Sequence, residues 1–245
     1  MFNKIFSWGQ KRAENQERVT FDLHSHLIPG IDDGARTMAD SVEMIRQMAA
    51  QGFTHLVTTP HIMWDSYKNT PEIIRKGLGE VREACLENGI DIRLDAAAEY
   101  FIDEHFLELL RGRGELLTLP GNRLLVELPY TTPLMNTTET LFSIIGYGYR
   151  PVLAHPERYS YFHAGPEVYH RLKEQGCELQ LNALSLTGQY GSGVQKVARW
   201  LLKQQLVTFI GSDAHDIRHV KALAKAMELR VLRDYDFFNN EICPA

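Results

Sequence analysis

Seven short segments of this sequence carry histidine or carboxylate side chains in patterns that suit metal ions: LHSH (23–26), IDDG (31–34), TPH (59–61), AEY (98–100), VELP (126–129), AHPER (154–158) and GSDAH (211–215). A strand's two-residue period puts the imidazoles of His24 and His26 on one side. Each group alone has a plainer reading. His24 and His26 can be surface or capping histidines, Asp32-Asp33-Gly34 a turn, His155 a satisfied core histidine and Asp213 a helix cap. Glu127 lies inside the apolar run LLVELPY and Glu99 at the end of another, where a carboxylate is costly unless it is paired or ligates a metal. Together, six of seven expected strand ends present His, Asp or Glu, and six independent coincidences are a poorer account than one polynuclear metal site. Nitrogen and oxygen donors without cysteine suit Mn, Fe or Zn.

The elements that must carry these residues follow from periodicity. Strands are expected at 19–24, 55–59, 92–98, 124–128, 152–155, 178–182 and 207–211. Helical patterns follow at 37–51, 71–88, 104–111, 137–145, 166–175, 194–204 and 219–232. Met38, Val42, Ile45 and Ala49 show the helical spacing, and Gly52 stops the first helix. Alternating strand and helix patterns, with no linker or repeat, predict one α/β domain folded as a distorted (β/α)7 barrel. Residues 1–18 read as a tail and 19–245 as the domain. In such a barrel chemistry gathers where strands end, and that is where the candidate ligands stand.

Composition narrows the class further. The chain has 245 residues, 44% hydrophobic and 23% charged, with a formal net charge of −5. No basic run exceeds Lys11-Arg12, so the footprint of a nucleic-acid binder is missing. No apolar stretch approaches the roughly 18 residues of a membrane span, and MFNKIFSWGQKR does not read as a signal peptide. Three cysteines, an odd number, fit a reducing compartment and a cytoplasmic location. Cysteine-dependent phosphoryl chemistry is excluded: an arginine is required six positions after the nucleophile, where Asp91 follows Cys85 and Ala183 follows Cys177. Gly188, Gly191 and Gly193 lack the lysine or strand-to-helix context of a nucleotide loop.

The ordered LHSH, DDG, TPH, AEY, VELP, AHPER and GSDAH segments resemble the polymerase and histidinol phosphatase (PHP) superfamily, in particular its capsule-associated bacterial protein-tyrosine phosphatases. The resemblance spans about Phe21 to His215. It implies three divalent metal ions: one on His24, His26, Glu99 and Asp213, one on Glu99, Glu127 and His155, and one on Asp33, His61 and His215. It also implies hydrolysis of phosphotyrosine by a metal-activated hydroxide, with a bacterial tyrosine kinase of capsule or exopolysaccharide export as substrate. Arg158, three residues past a ligand, is placed to clamp phosphoryl oxygens rather than to act on the ions; Arg218 is a second candidate. Trp64, Tyr100 and Tyr130 are candidate walls for a phenyl phosphate, each with a plain packing alternative. A histidinol phosphate phosphatase, a nuclease of the same superfamily and a non-catalytic binding module are the competing readings.

Overall fold

The computed structural model describes residues 18–243. The expected tail, apart from Arg18, lies outside the described residues. Nine strands are present among the described residues: β1 (Phe21–Asp22), β2 (His55–Thr58), β3 (His61–Ile62), β4 (Arg93–Ala96), β5 (Glu99–Phe101), β6 (Arg123–Glu127), β7 (Arg150–Ala154), β8 (Glu178–Asn182) and β9 (Phe209–Gly211). Every ladder between them is parallel. They form one sheet in the order β1-β2-β4 and another in the order β3-β5-β6-β7-β8-β9.

The seven expected strand positions are all occupied. Two of them are interrupted, which gives nine segments: β2 resumes as β3 and β4 resumes as β5. Pro60 has no N–H to donate to a ladder, so the chain steps across through Thr59 N to Ser25 O (2.6 Å), Ala97 N to Thr58 O (3.0 Å) and Glu99 N to Pro60 O (3.1 Å). His61 and Glu99 therefore begin second segments instead of ending first ones, and they stand side by side in register. The last position returns to the first through a single parallel bridge, Ser25 to Ala214. Asp213 N donates to His24 O (2.8 Å) and His26 N to Ala214 O (3.0 Å) there, so the joint that closes the ring is made of site residues.

The helices α1 (Met38–Ala50), α2 (Pro71–Glu87), α3 (Glu104–Gly112), α4 (Thr137–Gly146), α5 (Glu167–Glu174), α6 (Ser192–Lys203) and α7 (Ile217–Met227) follow in turn. Thr37 and Asp40 form a reciprocal capping box on α1, and Thr70 caps α2 ahead of Pro71. The helix expected over 219–232 ends at Met227 because Leu229 takes an extended backbone before the short Arg230–Arg233 turn. Phe21, Leu23, Val57, Ala97, Leu119, Leu125, Val152, Ala154 and Phe209 form an inner core, and the larger core lies between sheets and helices. Two residues beyond Ala97 and Leu125 on the same faces come Glu99 and Glu127, so the inner core is the floor of the site.

Below that floor a C-terminal segment ties the first and last strands. The fully buried Asn239 donates to Phe21 O (2.9 Å) and Ile210 O (2.7 Å) and accepts from Ile210 N (2.9 Å). Asn239→Ala leaves three buried backbone groups unpaired, an expected loss of about 2–4 kcal/mol. Thermal unfolding should then fall by roughly 5–10 °C; an unchanged melting temperature would contradict this role.

Candidate metal centre

Five imidazoles and four carboxylates converge at the strand exits. Glu99 is the hub. Its Oε2 lies 3.2 Å from His24 Nε2, 3.5 Å from His26 Nε2 and 3.2 Å from His61 Nδ1, and its Oε1 lies 3.1 Å from His155 Nε2. Asp213 Oδ1 faces His24 Nε2 (3.3 Å), His26 Nε2 (3.5 Å) and His215 Nδ1 (3.4 Å). Glu127 is 3.6 Å from His155 Nε2 and 3.7 Å from His61 Nδ1. Asp33 Oδ1 is 3.5 Å from His61 Nε2 and 3.4 Å from His215 Nε2. All nine expected ligands are thus in one cluster.

These separations fit metal ions. Ligand atoms about 2.0–2.2 Å from one tetrahedral ion stand about 3.3–3.6 Å apart. Groups within metal-binding reach are His24, His26, Glu99 and Asp213; His61, Glu99 and Glu127; and His26, Asp33, His61 and His215. The first repeats the expected set. The second contains His61, with His155 beside it on Glu99 and Glu127, and the third gains His26. His61 lies between two groups, one ring nitrogen toward each, and its buried Nδ1 has no hydrogen-bond partner.

Outer contacts fix which imidazole nitrogen is offered. His24 Nδ1 meets Gln180 Oε1 (2.8 Å) and His26 Nδ1 meets Asp32 Oδ2 (2.7 Å), so each Nε2 keeps its lone pair for the cluster. His215 Nδ1 lies 2.9 Å from the Asp213 carbonyl, which leaves Nε2 toward Asp33. His155 (φ 34°) and Asp213 (φ 48°) adopt left-handed backbone, a costly conformation for non-glycine residues that turns both side chains into the site.

The electrostatics point the same way. Burial raises the Glu99 carboxyl, but His24 and His61 hold it well below the usual carboxylate range. Burial and then the Glu99 charge push Glu127 up to about 8. Against burial, Glu99 and Asp213 raise His24 to about 9, whereas burial and the Arg158 guanidinium drive His155 down to about 4. Two crowded carboxylates that resist joint ionisation suit bound cations, which relieve the repulsion.

The flanking candidates divide. Arg158 reaches the centre: its Nη1 is 2.9 Å from Asp213 Oδ2, and its guanidinium lies between the rings of Tyr130 (4.8 Å) and Tyr190 (4.4 Å). It therefore touches Asp213, one of the expected ligands, a contact its position three residues past His155 does not reveal. Tyr130, partly exposed at the mouth, brings its hydroxyl 3.4 Å from His155 Nε2. Tyr100 does not line the site. It follows Glu99 on β5, so its side chain takes the opposite face, packs on Phe106 and accepts a hydrogen bond from Leu117 N. Trp64 stacks on His105 at 3.7 Å, and its backbone N–H donates to Asp103 Oδ2; Tyr67, not Trp64, stacks on His61. Arg218 is 85% exposed and pairs with Asp216, the α7 cap, which turns it away from the cluster.

Four supporting residues were missed: Asp32, Gln180, Asn182 and Tyr190. Gln180 and Asn182 lie on β8, the one strand end without a candidate ligand, and the two-residue period was the available signal. Gly211 is the close approach that this strand requires. A Cβ there would come 2.5 Å from Gln180 Nε2 and 2.9 Å from His24 Cβ. Gly211→Ala should displace the Gln180–His24 pair and weaken metal binding at least about tenfold; wild-type metal affinity would count against it.

A parallel α/β ring with a cluster of His, Asp and Glu at its strand exits defines the class of barrel metallohydrolases. Residues 20–235 match the family described as capsular polysaccharide synthesis, CpsB/CapC, and the chain belongs to that family. It is 30% identical over 198 residues to the tyrosine-protein phosphatase YwqE of Bacillus subtilis, covering 80% of this chain and 78% of the relative. It is 28% identical over 202 residues to the tyrosine-protein phosphatase CpsB of Streptococcus pneumoniae, covering 80% and 83%. A solved structure from work on YwqE and CpsB, described as unique metal-dependent tyrosine phosphatases, superposes with a TM-score of 0.77 at 27% identity over 92% of this chain and 99% of that one. A Lactococcus lactis histidinol phosphate phosphatase shares the fold, with a TM-score of 0.52 at 12% identity over 86% and 95%.

Proposed function

We propose that this protein is a metal-dependent protein-tyrosine phosphatase that hydrolyses phosphotyrosine in a protein substrate. The observation that carries the reading is the gathering of nine His, Asp and Glu side chains, Glu99 and Asp213 among them, in one cluster, in a chain whose relatives are named tyrosine-protein phosphatases. Three divalent ions are assigned, Mn first, with Fe or Zn as the other candidates for this donor set. His24, His26, Glu99 and Asp213 hold one, Glu99, Glu127 and His155 the second, and Asp33, His61 and His215 the third. His61 and His26 stand close enough to share in neighbouring sites.

Bound divalent ions supply Lewis acidity to water and to a phosphoryl oxygen. The residues of the chain do the rest. Arg158 is held by the faces of Tyr130 and Tyr190 with one edge on Asp213, and it offers its remaining N–H groups to the phosphoryl oxygens. Tyr130 stays protonated because burial and the Glu127 charge raise its pKa, so its hydroxyl is a donor at the mouth. Its ring and that of Tyr67 give the substrate's phenyl group apolar walls.

The substrate is assigned as a bacterial tyrosine kinase of capsule or exopolysaccharide synthesis, and the location as cytoplasmic. The family description supports the first, and a cysteine count of three, an odd number, fits the second. Among the described residues no helix is long and apolar enough to cross a membrane. Residues 19–245 are assigned as the catalytic domain. Turnover on a phosphotyrosine peptide, on histidinol phosphate and on single-stranded DNA tests the reading. The peptide should be preferred in kcat/KM by at least about a hundredfold, about 2.7 kcal/mol of discrimination. Preference for histidinol phosphate or DNA would overturn it.

A further inference from the structure

The two oxygens of Asp213 have different partners. Oδ1 faces the imidazoles of His24, His26 and His215. Oδ2 takes two hydrogen bonds from the other side, one from Arg158 Nη1 (2.9 Å) and one from Asn182 Nδ2 (2.8 Å). The N–H of Arg158 Nη1 that serves Asp213 cannot serve a phosphoryl oxygen at the same time, so when phosphate draws the guanidinium toward itself the contact to Asp213 is the one given up. Asn182 has no such second demand, and it is fully buried.

Asn182 is itself anchored. Its Oδ1 accepts from Leu184 N (2.8 Å), its N–H donates to Glu157 Oε1 (3.0 Å) and its Nδ2 also reaches Tyr190 Oη (3.2 Å). Glu157 is fully buried between the ligand His155 and Arg158. Its Oε1 also accepts from Ser185 Oγ (2.6 Å), whereas its Oε2 has no hydrogen-bond partner. A chain of side chains thus crosses three neighbouring strand exits, from β7 through Asn182 at the end of β8 to Asp213 after β9.

We propose that Asn182 is a positioning residue that keeps Asp213 aimed at the metal site when Arg158 turns to a phosphoryl group, and that Glu157 holds Asn182 in place for this. The proposal rests on the reading of Arg158 as a phosphate clamp and Asp213 as a metal ligand. Without Asn182, binding of phosphate releases Oδ2 altogether, and the ligand swings. Phosphate and metal then work against each other through Asp213, and linkage requires the loss to appear on both sides. Glu157 needs one acceptor oxygen for its part, which a glutamine also supplies.

The test measures Mn affinity by competition with a fluorescent chelator, with and without saturating inorganic phosphate, in the full chain and in its Asn182→Ala, Glu157→Ala and Glu157→Gln variants. Inhibition by phosphate of the Mn-loaded proteins is measured in parallel. In wild type, phosphate should leave Mn affinity unchanged or tighten it. In Asn182→Ala the ratio of Mn affinity with phosphate to that without should be about tenfold smaller than in wild type, and phosphate inhibition about tenfold weaker. Glu157→Ala should follow Asn182→Ala, and Glu157→Gln should follow wild type. Melting temperatures identify a variant that is merely misfolded, and the Glu157 pair then decides. A wild-type phosphate effect in Asn182→Ala, or equal behaviour of the two Glu157 variants, overturns the proposal. Failure of the wild-type protein to bind Mn overturns the functional reading itself, and this proposal with it.

Discussion

Glu99→Gln is expected to abolish phosphatase activity, with kcat/KM falling by at least about a thousandfold, and to strip the two metal sites that share this carboxylate. Among the described residues Glu99 is the one carboxylate within 3.5 Å of four imidazoles, those of His24, His26, His61 and His155. Glutamine keeps the shape, but it removes a full charge from both sites and places an amide N–H among ring nitrogens that offer lone pairs. Asp33→Ala is the matched control. Asp33 is half exposed and meets only His61 and His215, so its loss should empty one site and cost about tenfold in turnover or KM. Metal analysis of both variants separates the cases; equal ion loss would mean that the ligands are wrongly divided among the ions.

Arg158→Ala should lower kcat/KM by about 10²- to 10³-fold, the usual cost of deleting a preorganised donor to developing charge. Arg158→Lys should recover only part, since an ammonium lacks the planar fork and the fit between two rings. Because Asn182 still holds Asp213 Oδ2, loss of the 2.9 Å contact from Arg158 should leave metal affinity close to that of wild type. Activity measured at metal saturation then reports the phosphoryl-binding defect alone. Wild-type kcat/KM under those conditions would remove Arg158 from the phosphate site.

That nine His, Asp and Glu side chains cluster was legible because strand ends in a βα ring have one destination, and residues of like chemistry at six of them meet there. The seven strand positions were legible for the same periodic reason. Tyr100 adjoins Glu99 in sequence but not in the site, because adjacent residues of a strand point to opposite faces. Arg218 was drawn in by its spacing from His215, but Asp216 caps α7 and captures it. The breaks at Pro60 and at Ala97-Ala98, and the left-handed turns at His155 and Asp213, depend on hydrogen bonds between distant exits that no local pattern records. Asn182 and Gln180 were passed over because an amide at a strand end carries no chemistry until its partner, a ligand, is known.

If the proposed function is right, activity belongs to an ion cluster held by Glu99 and Asp213. The most direct test is to strip the purified protein with a chelator, confirm by elemental analysis that no transition metal remains, and titrate Mn back while following hydrolysis of a phosphotyrosine peptide. The stripped protein should be inactive and folded, and activity should return in step with ions bound per chain, rising only after more than one has been taken up. Full activity in a protein shown to be free of metal would contradict the account.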